Sequence, residues 1–281
     1  MRKMSTTLSS NFITCRLQGR TGNIMFQIAH AYSKALEYNR QFTVPSKESS
    51  TSHQENTLYR KISFDIQTSV EFPNIEQKWG KFHYEHIEPS KDNPTAFCGF
   101  YQSEKYFKKH SEAIRDLFSP PRSFINKVLK EYPFFANETV AAINVRRGDY
   151  LTQLTRHPVV SLEYINEAYE SLPSHDKLLI MSDDIEWCKE NIKLPNLVFS
   201  DNSKFWDAEG IWLLSLCDHF IISNSTFSWW GAWLSRTDNK VVIAPSTWFG
   251  PDIKEIPEDI YCENWVKLDT VYDNGYIKLN K

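Results

Sequence analysis

Residues 144–150 read Asn-Val-Arg-Arg-Gly-Asp-Tyr. Two adjacent guanidinium groups stay charged at any physiological pH and present donor forks matched to phosphate oxygens. They follow residues 139–145, an apolar run rich enough in β-branched side chains to predict a buried strand. In an open α/β sheet, ligands bind beyond the carboxyl ends of strands, so an arginine placed there can meet an anion. Strand alternation sends Arg146 and Arg147 opposite ways. One is expected at the ligand and the other in an ion pair with Asp149. The competing reading is that both arginines only tie the strand end to neighbouring acids.

Three further stretches could serve the same chemistry. Gln18-Gly19-Arg20-Thr21-Gly22-Asn23 separates an expected strand from an expected helix. Its glycines allow close backbone approach, and a helix start offers unpaired N–H groups to a diphosphate or an anionic transition state. A plain turn explains it equally well. Ser223-Asn224-Ser225-Thr226 precedes an aromatic run, Phe227 to Leu234. Ser225 or Thr226 is a natural N-cap, and the tryptophans behind it read as core. Ser182-Asp183-Asp184 and Ser200-Asp201-Asn202 each follow a strand. Their acids could read a ribose or a base, or could cap the next helix. The histidines show no metal-ligand spacing, and no Asp-x-Asp motif is present to hold a divalent ion beside a nucleotide.

These residues need elements to position them. A strand at 12–17, a helix from about 24 to 38 and a strand at 41–44 make a β-loop-α-β opening. Residues 45–95 are polar and irregular, with short strands, long loops and a surface loop over a cleft expected. A strand at 95–101 and a helix through residue 118 follow, and Pro120-Pro121 marks a boundary. A connecting helix is expected at 122–135. Beyond it, short apolar strands at 139–145, 177–181, 197–199, 219–222 and 240–243 alternate with helices at 160–171, 184–191, 208–217 and 226–235. That rhythm predicts a second parallel α/β unit. Two such units imply a ligand cleft between them.

Composition sets outer limits. The chain has 281 residues and a net charge of −3, so no global basic field recruits nucleic acid. Five cysteines without paired spacing read as free thiols in a reducing compartment. No apolar run near the N-terminus resembles a signal peptide or a spanning helix. A soluble, cytoplasmic protein is expected, with reversible contact to a membrane surface left open.

Taken together, the stretches at 19–36 (GRTGNIMFQIAHAYSKAL), 97–107 (FCGFYQSEKYF), 144–150 (NVRRGDY) and 213–234 (LLSLCDHFIISNSTFSWWGAWL), supported by SDDIEWC at 182–188, carry a resemblance. The chain resembles the α-1,2-fucosyltransferases of glycosyltransferase family 11. The resemblance implies a GT-B fold, two Rossmann-like domains whose parallel sheets face across a cleft. Residues 1–121 would be the acceptor-side domain and 122–281 the nucleotide-sugar domain. It implies metal-free, inverting transfer of L-fucose from GDP-β-L-fucose to O2 of a terminal galactose. No cofactor is implied, and the partners are the nucleotide sugar and a galactose-terminated glycan.

The resemblance also assigns roles. Arg146 would hold the donor diphosphate, with Arg147 and Asp149 supporting it. Gly22 and Asn23 would face the fucose and phosphates. Ser225, Thr226 and Phe227 would line the nucleotide pocket. Arg146, Asn23 and Asp149 are thus the catalytic candidates. Asn144, Asp183, Asp201 and Glu209 join the donor-binding set. Two positions depart from the family pattern: Asn144 stands where a His is usual, and Gly210 stands where related enzymes carry a guanine-reading Asp. Glu209 could serve in its place by a one-residue shift. Both departures bear on the donor, so another nucleotide deoxysugar stays open. So does a glycan-binding module on an inactive transferase scaffold. No residue is singled out as general base, although an acid or histidine within 45–95 would face the acceptor.

Overall fold

The protein is described here by a computed structural model. It describes residues 11–44, 58–62, 74–77, 83–255 and 257–281. The chain divides into two compact units, Met1–Phe118 with Pro257–Tyr261, and Ser119–Ile256 with Cys262–Lys281.

In the first unit, strands β1 (Phe12–Cys15), β2 (Gln41–Phe42), β3 (Asn74–Glu76) and β4 (Thr95–Cys98) form a parallel sheet in the order β2-β1-β4-β3. Helix α1 (Thr21–Glu37) crosses from β1 to β2. Its apolar side chains Ile24, Met25, Phe26 and Ile28 are buried. Each such burial is worth roughly 1.5–3 kcal/mol. The helix begins earlier than periodicity alone suggests, because Thr21, Gly22 and Asn23 form its first turn. The fully buried Gln27 fixes that start by closing two hydrogen bonds on the backbone of Gln18.

The single helix expected through residue 118 is instead two short 3₁₀ turns, at Glu104–Tyr106 and Lys108–His110, followed by α2 (Ser111–Phe118). Phe107 causes the break. Its φ of −142° fits no α-helix, and its ring and that of Tyr106 are buried under α1. The surface loop expected from residues 45–95 lies largely outside the described residues. Residues 257–261 return to this unit, where Asp259 accepts the backbone N–H of Tyr84 and pairs with Lys105.

The second unit opens with α3 (Arg122–Glu131). It then alternates β5 (Val140–Val145), β6 (Val159–Val160), α4 (Leu162–Glu170), β7 (Lys177–Ser182), α5 (Ile185–Asn191), β8 (Leu197–Phe199), α6 (Ala208–Leu214), β9 (His219–Ile222), α7 (Thr226–Leu234), β10 (Val242–Pro245) and β11 (Val266–Leu268). Its main sheet is parallel, in the order β11-β10-β9-β5-β7-β8. On one face Ala141, Ile143, Val145, Leu178, Ile180 and Ile221 pack with Tyr164, Ile165 and Ala168 of α4. On α7, Trp229, Trp230 and Trp233 are buried against one another, which makes them core as the sequence suggests.

A small third sheet runs β12-β13-β6, where β12 is Thr270–Asp273 and β13 is Tyr276–Leu279. The strand alternation read from the sequence does not extend to this sheet or to β11. The Asn274-Gly275 pair at its hairpin, both at positive φ, was the available signal.

Candidate functional site

Strands β5 and β7 end side by side, with Val145 opposite Ser182. This register sets the arginine turn against the acidic turn. Asp183 uses both carboxylate oxygens there. Oδ1 accepts the backbone N–H of Arg147 at 2.8 Å, and Oδ2 meets Nη1 of Arg146 at 2.7 Å. Gly148 leaves the room this needs, since a Cβ there would stand 2.3 Å from the same Oδ2. Nη2 of Arg146 pairs with Asp149, three residues on in the 3₁₀ turn Gly148–Thr152. The guanidinium of Arg146 also lies over the Tyr150 ring, 5.4 Å from its centroid.

Arg147 is buried. Its Nε donates to Asp184 at 3.0 Å, and its guanidinium stacks 3.8 Å from the centroid of the Trp187 ring. The expected division between an ion-paired arginine and an open one is therefore corrected: both arginines pair with neighbouring acids, as the competing reading has it. Asp149 pairs with Arg146 itself, because the 3₁₀ turn brings residues i and i+3 together, and Arg147 finds Asp184 instead. Asp184 doubles as the N-cap of α5, accepting from Trp187 N at 3.4 Å. Asp183 is committed to the arginine turn rather than to a cap.

The α7 entrance is built onto the same turn. Ser223 Oγ donates to Asn144 O at 2.6 Å and accepts the backbone N–H of Arg146 at 3.0 Å. Tyr150 Oη donates to Asn224 O at 3.1 Å. Asn224 is buried, and its Nδ2 donates to Pro158 O and Trp248 O. Its Oδ1 is buried without a partner. Ser225 is the N-cap, its Oγ accepting from Phe227 N at 3.3 Å. The Ser225 amide donates to Ser223 O at 2.8 Å. The amides at 225 and 227 are therefore engaged locally. His157 stacks on Tyr150 at 4.9 Å between centroids. Burial pushes its pKa below the ordinary value, and Arg156 adds to the shift while Asp149 opposes it.

The other residues singled out from the sequence sit as follows. Asn144 is buried on β5, its Nδ2 donating to Met181 O at 3.1 Å. Phe227 reaches Gly210 on α6, where a Cβ would be 2.9 Å from its ring. Glu209, one residue earlier, faces elsewhere. Its carboxylate pairs with Lys127 of α3 at 2.6 Å. Asp201 holds its own turn through the Ser203 hydroxyl and amide and pairs with Lys204, contacts that lower its pKa. Neither acid joins the Arg146 group. Thr226 opens α7.

In the first unit, Gly22 is buried in the first turn of α1, and Asn23 Oδ1 accepts from Gln102 Nε2 at 3.0 Å. Gly19 takes φ +81°, a conformation other residues rarely adopt, and packs against the Asn23 side chain. Sequence reasoning named Ser223 and Asn224 only as part of the polar stretch 223–226, and gave no role to Tyr150 or Trp187. Tyr150 and Trp187 lie within motifs it quoted, so proximity to the arginines and the acids was the available signal. Among the described residues, no group of three His, Cys, Asp or Glu side chains is arranged to hold a metal ion. No helix of the described residues is long and apolar enough to cross a membrane. All five cysteines are buried and unbridged.

Comparison with known proteins adds to this geometry. The family model described as Glycosyl transferase family 11 matches residues 1–269. An α-1,2-colitosyltransferase of Escherichia coli is 30% identical, with 92% of this chain and 99% of the relative covered. Galactoside α-(1,2)-fucosyltransferase 1 of Alouatta belzebul is 24% identical, covering 89% of this chain and 73% of the relative. Among solved structures, fucosyltransferase NodZ from Bradyrhizobium superposes with a TM-score of 0.51 at 13% identity, covering 79% of this chain and 92% of that one. That likeness concerns the fold, and it places the two α/β units with their parallel sheets in the GT-B class expected from the sequence.

Proposed function

The chain belongs to glycosyl transferase family 11, and from that premise we propose that it is an inverting α-1,2-fucosyltransferase. In this reading it moves L-fucose from GDP-β-L-fucose to O2 of a terminal galactose. One observation carries the reading. The backbone of Arg146 is fastened to the capped start of α7 through Ser223, and its guanidinium lies over Tyr150, whose hydroxyl donates to Asn224 O. A cation and a helix start held in fixed relation are what a departing diphosphate requires.

In the mechanism proposed, Arg146 takes up the charge that develops on the leaving phosphate, and the Ser225 hydroxyl turns to donate to it. Asp183 holds the fork in place, so the guanidinium itself needs no reorganisation as the bond breaks. The anomeric carbon passes through an oxocarbenium-like state while the acceptor hydroxyl attacks from the opposite side. Fixed donors around the phosphates make a divalent ion unnecessary. A second reading, transfer of a different deoxysugar from its GDP form, is favoured by the α-1,2-colitosyltransferase relative at 30% identity.

A screen of nucleotide deoxysugars against galactose-terminated oligosaccharides, with mass detection and linkage analysis of products, separates the readings. GDP-fucose with an α-1,2-linked product supports the first. Selective use of GDP-colitose supports the second. Arg146→Ala is expected to lower turnover by more than a hundredfold, a typical loss for a group that stabilises transition-state charge (about 10²–10³), with an unchanged circular dichroism spectrum. Turnover within twofold of wild type would refute the role of Arg146.

A further inference from the structure

We propose that Asp149 is an exchangeable counter-ion of Arg146, displaced when the donor's diphosphate binds, whereas Asp183 is a positioning residue that stays. This deepens the nucleotide-sugar reading and rests on it. The two carboxylates on Arg146 are not equivalent. Asp183 is 8% exposed, and both its oxygens are fixed, one by the Arg147 backbone and one by Arg146. It stands at the end of a central strand, with Gly148 packed against it. Asp149 is 34% exposed and stands on a one-turn 3₁₀ segment.

Arg146 itself is 18% exposed and is held through Nη1 on the Asp183 side and Nη2 on the Asp149 side. A diphosphate carries more negative charge than a carboxylate and accepts from a guanidinium fork in bidentate fashion. Three anionic groups around one cation repel one another. The exposed member yields, because leaving for water costs it least. Asp183 cannot yield without exposing a buried carboxylate and leaving the Arg147 N–H unpaired. Removing the negative charge of Asp149 is therefore expected to strengthen diphosphate binding.

The test is calorimetric titration of the full chain with GDP and with inorganic pyrophosphate, at low salt and in about 1 M KCl, where the Debye length is about 3 Å. Asp149→Asn is expected to bind both about fivefold more tightly than wild type at low salt, the size of an exposed ion pair. The gain should vanish at high salt. Asp149→Ser, too short to reach Arg146, should shift the same way and covers a failure of the first variant to fold. Asp183→Asn is expected to bind both about tenfold more weakly, with Asp183→Glu restoring part of the loss. Unchanged or weaker binding by the Asp149 variants, or a gain that persists at high salt, overturns the proposal while leaving the nucleotide-sugar reading intact. Wild type binding neither GDP nor pyrophosphate brings down both.

Discussion

Gly148→Ala gives the sharpest check on how the arginine turn is held. A Cβ at residue 148 would lie 2.3 Å from Asp183 Oδ2 and 2.9 Å from its carboxyl carbon. Ordinary contact begins near 3.4 Å, so the carboxylate must retreat by about 1 Å or the turn must open by as much. Either movement breaks the 2.7 Å contact with Arg146 and strains the 2.8 Å bond from Arg147 N. A hydrogen bond to a charged group is worth about 1.5–3 kcal/mol, and overpacking adds roughly 1–3 kcal/mol. Relaxation recovers part of this, so a net loss of about 2–4 kcal/mol is expected. Thermal denaturation should show it as a drop of roughly 5–10 °C. Turnover should fall by about a hundredfold, because Arg146 shifts by a distance that matters for transition-state contact. The decisive measurement is the same substitution in an Asp183→Ala background. The Asp183 Cβ is 3.5 Å from the new methyl, an ordinary contact, so there Gly148→Ala should cost little. A coupling of about 2 kcal/mol or more is expected from the double-mutant cycle. Equal costs in both backgrounds would show that the collision with Asp183 is not the reason Gly148 is glycine.

Two further outcomes follow from the structure and the proposed chemistry. His30 is fully buried among Phe97, Tyr101 and Tyr106, and burial together with the Lys34 charge lowers its pKa to about 3. The folded state therefore excludes a proton that the unfolded chain binds below about pH 6.5. Its contribution is complete at pH 7 and declines as the pH falls from 6.5 toward 3, by about 2 kcal/mol at pH 5. Denaturant titrations at pH 7 and pH 5 should show that loss in wild type and a smaller one in His30→Phe; equal pH dependence in the two would sink the assignment. Transferase activity is expected to survive excess EDTA, and a strict requirement for an added divalent ion would contradict stabilisation of the diphosphate by fixed donors alone.

The parallel units were legible because their physics is local. Runs such as 139–145 and 177–181 are apolar and β-branched, and each lies between turn residues, so their strands and the helices between them fall near the expected positions. Elements fixed by distant partners were not legible. Phe107 breaks a helical pattern because rings beneath α1 need burial, and nothing within residues 103–118 announces that demand. The return of residues 257–261 to the first unit is of the same kind. It depends on Asp259 meeting Tyr84 and Lys105, partners more than 150 positions away. The Asn274-Gly275 hairpin was a local signal and could have been read.

The site shows a different limit. Sequence identifies which residues carry charge, and alternation suggests which way each points, but neither fixes which acid meets which arginine. Reading Arg146 as open and Arg147 as paired assumes that a binding arginine waits unpaired. A guanidinium at 18% exposure beyond the end of an interior strand is costly to leave unpaired before its ligand arrives. Internal anions remove that cost and fix the geometry, at the expense of affinity, since the ligand must exchange with one of them. Such a site therefore needs one carboxylate that stays and one that leaves. The differing exposure of Asp183 and Asp149 on a single arginine supplies that asymmetry. It follows that substitutions of acids in this turn should divide in sign, weakening diphosphate binding at Asp183 and strengthening it at Asp149.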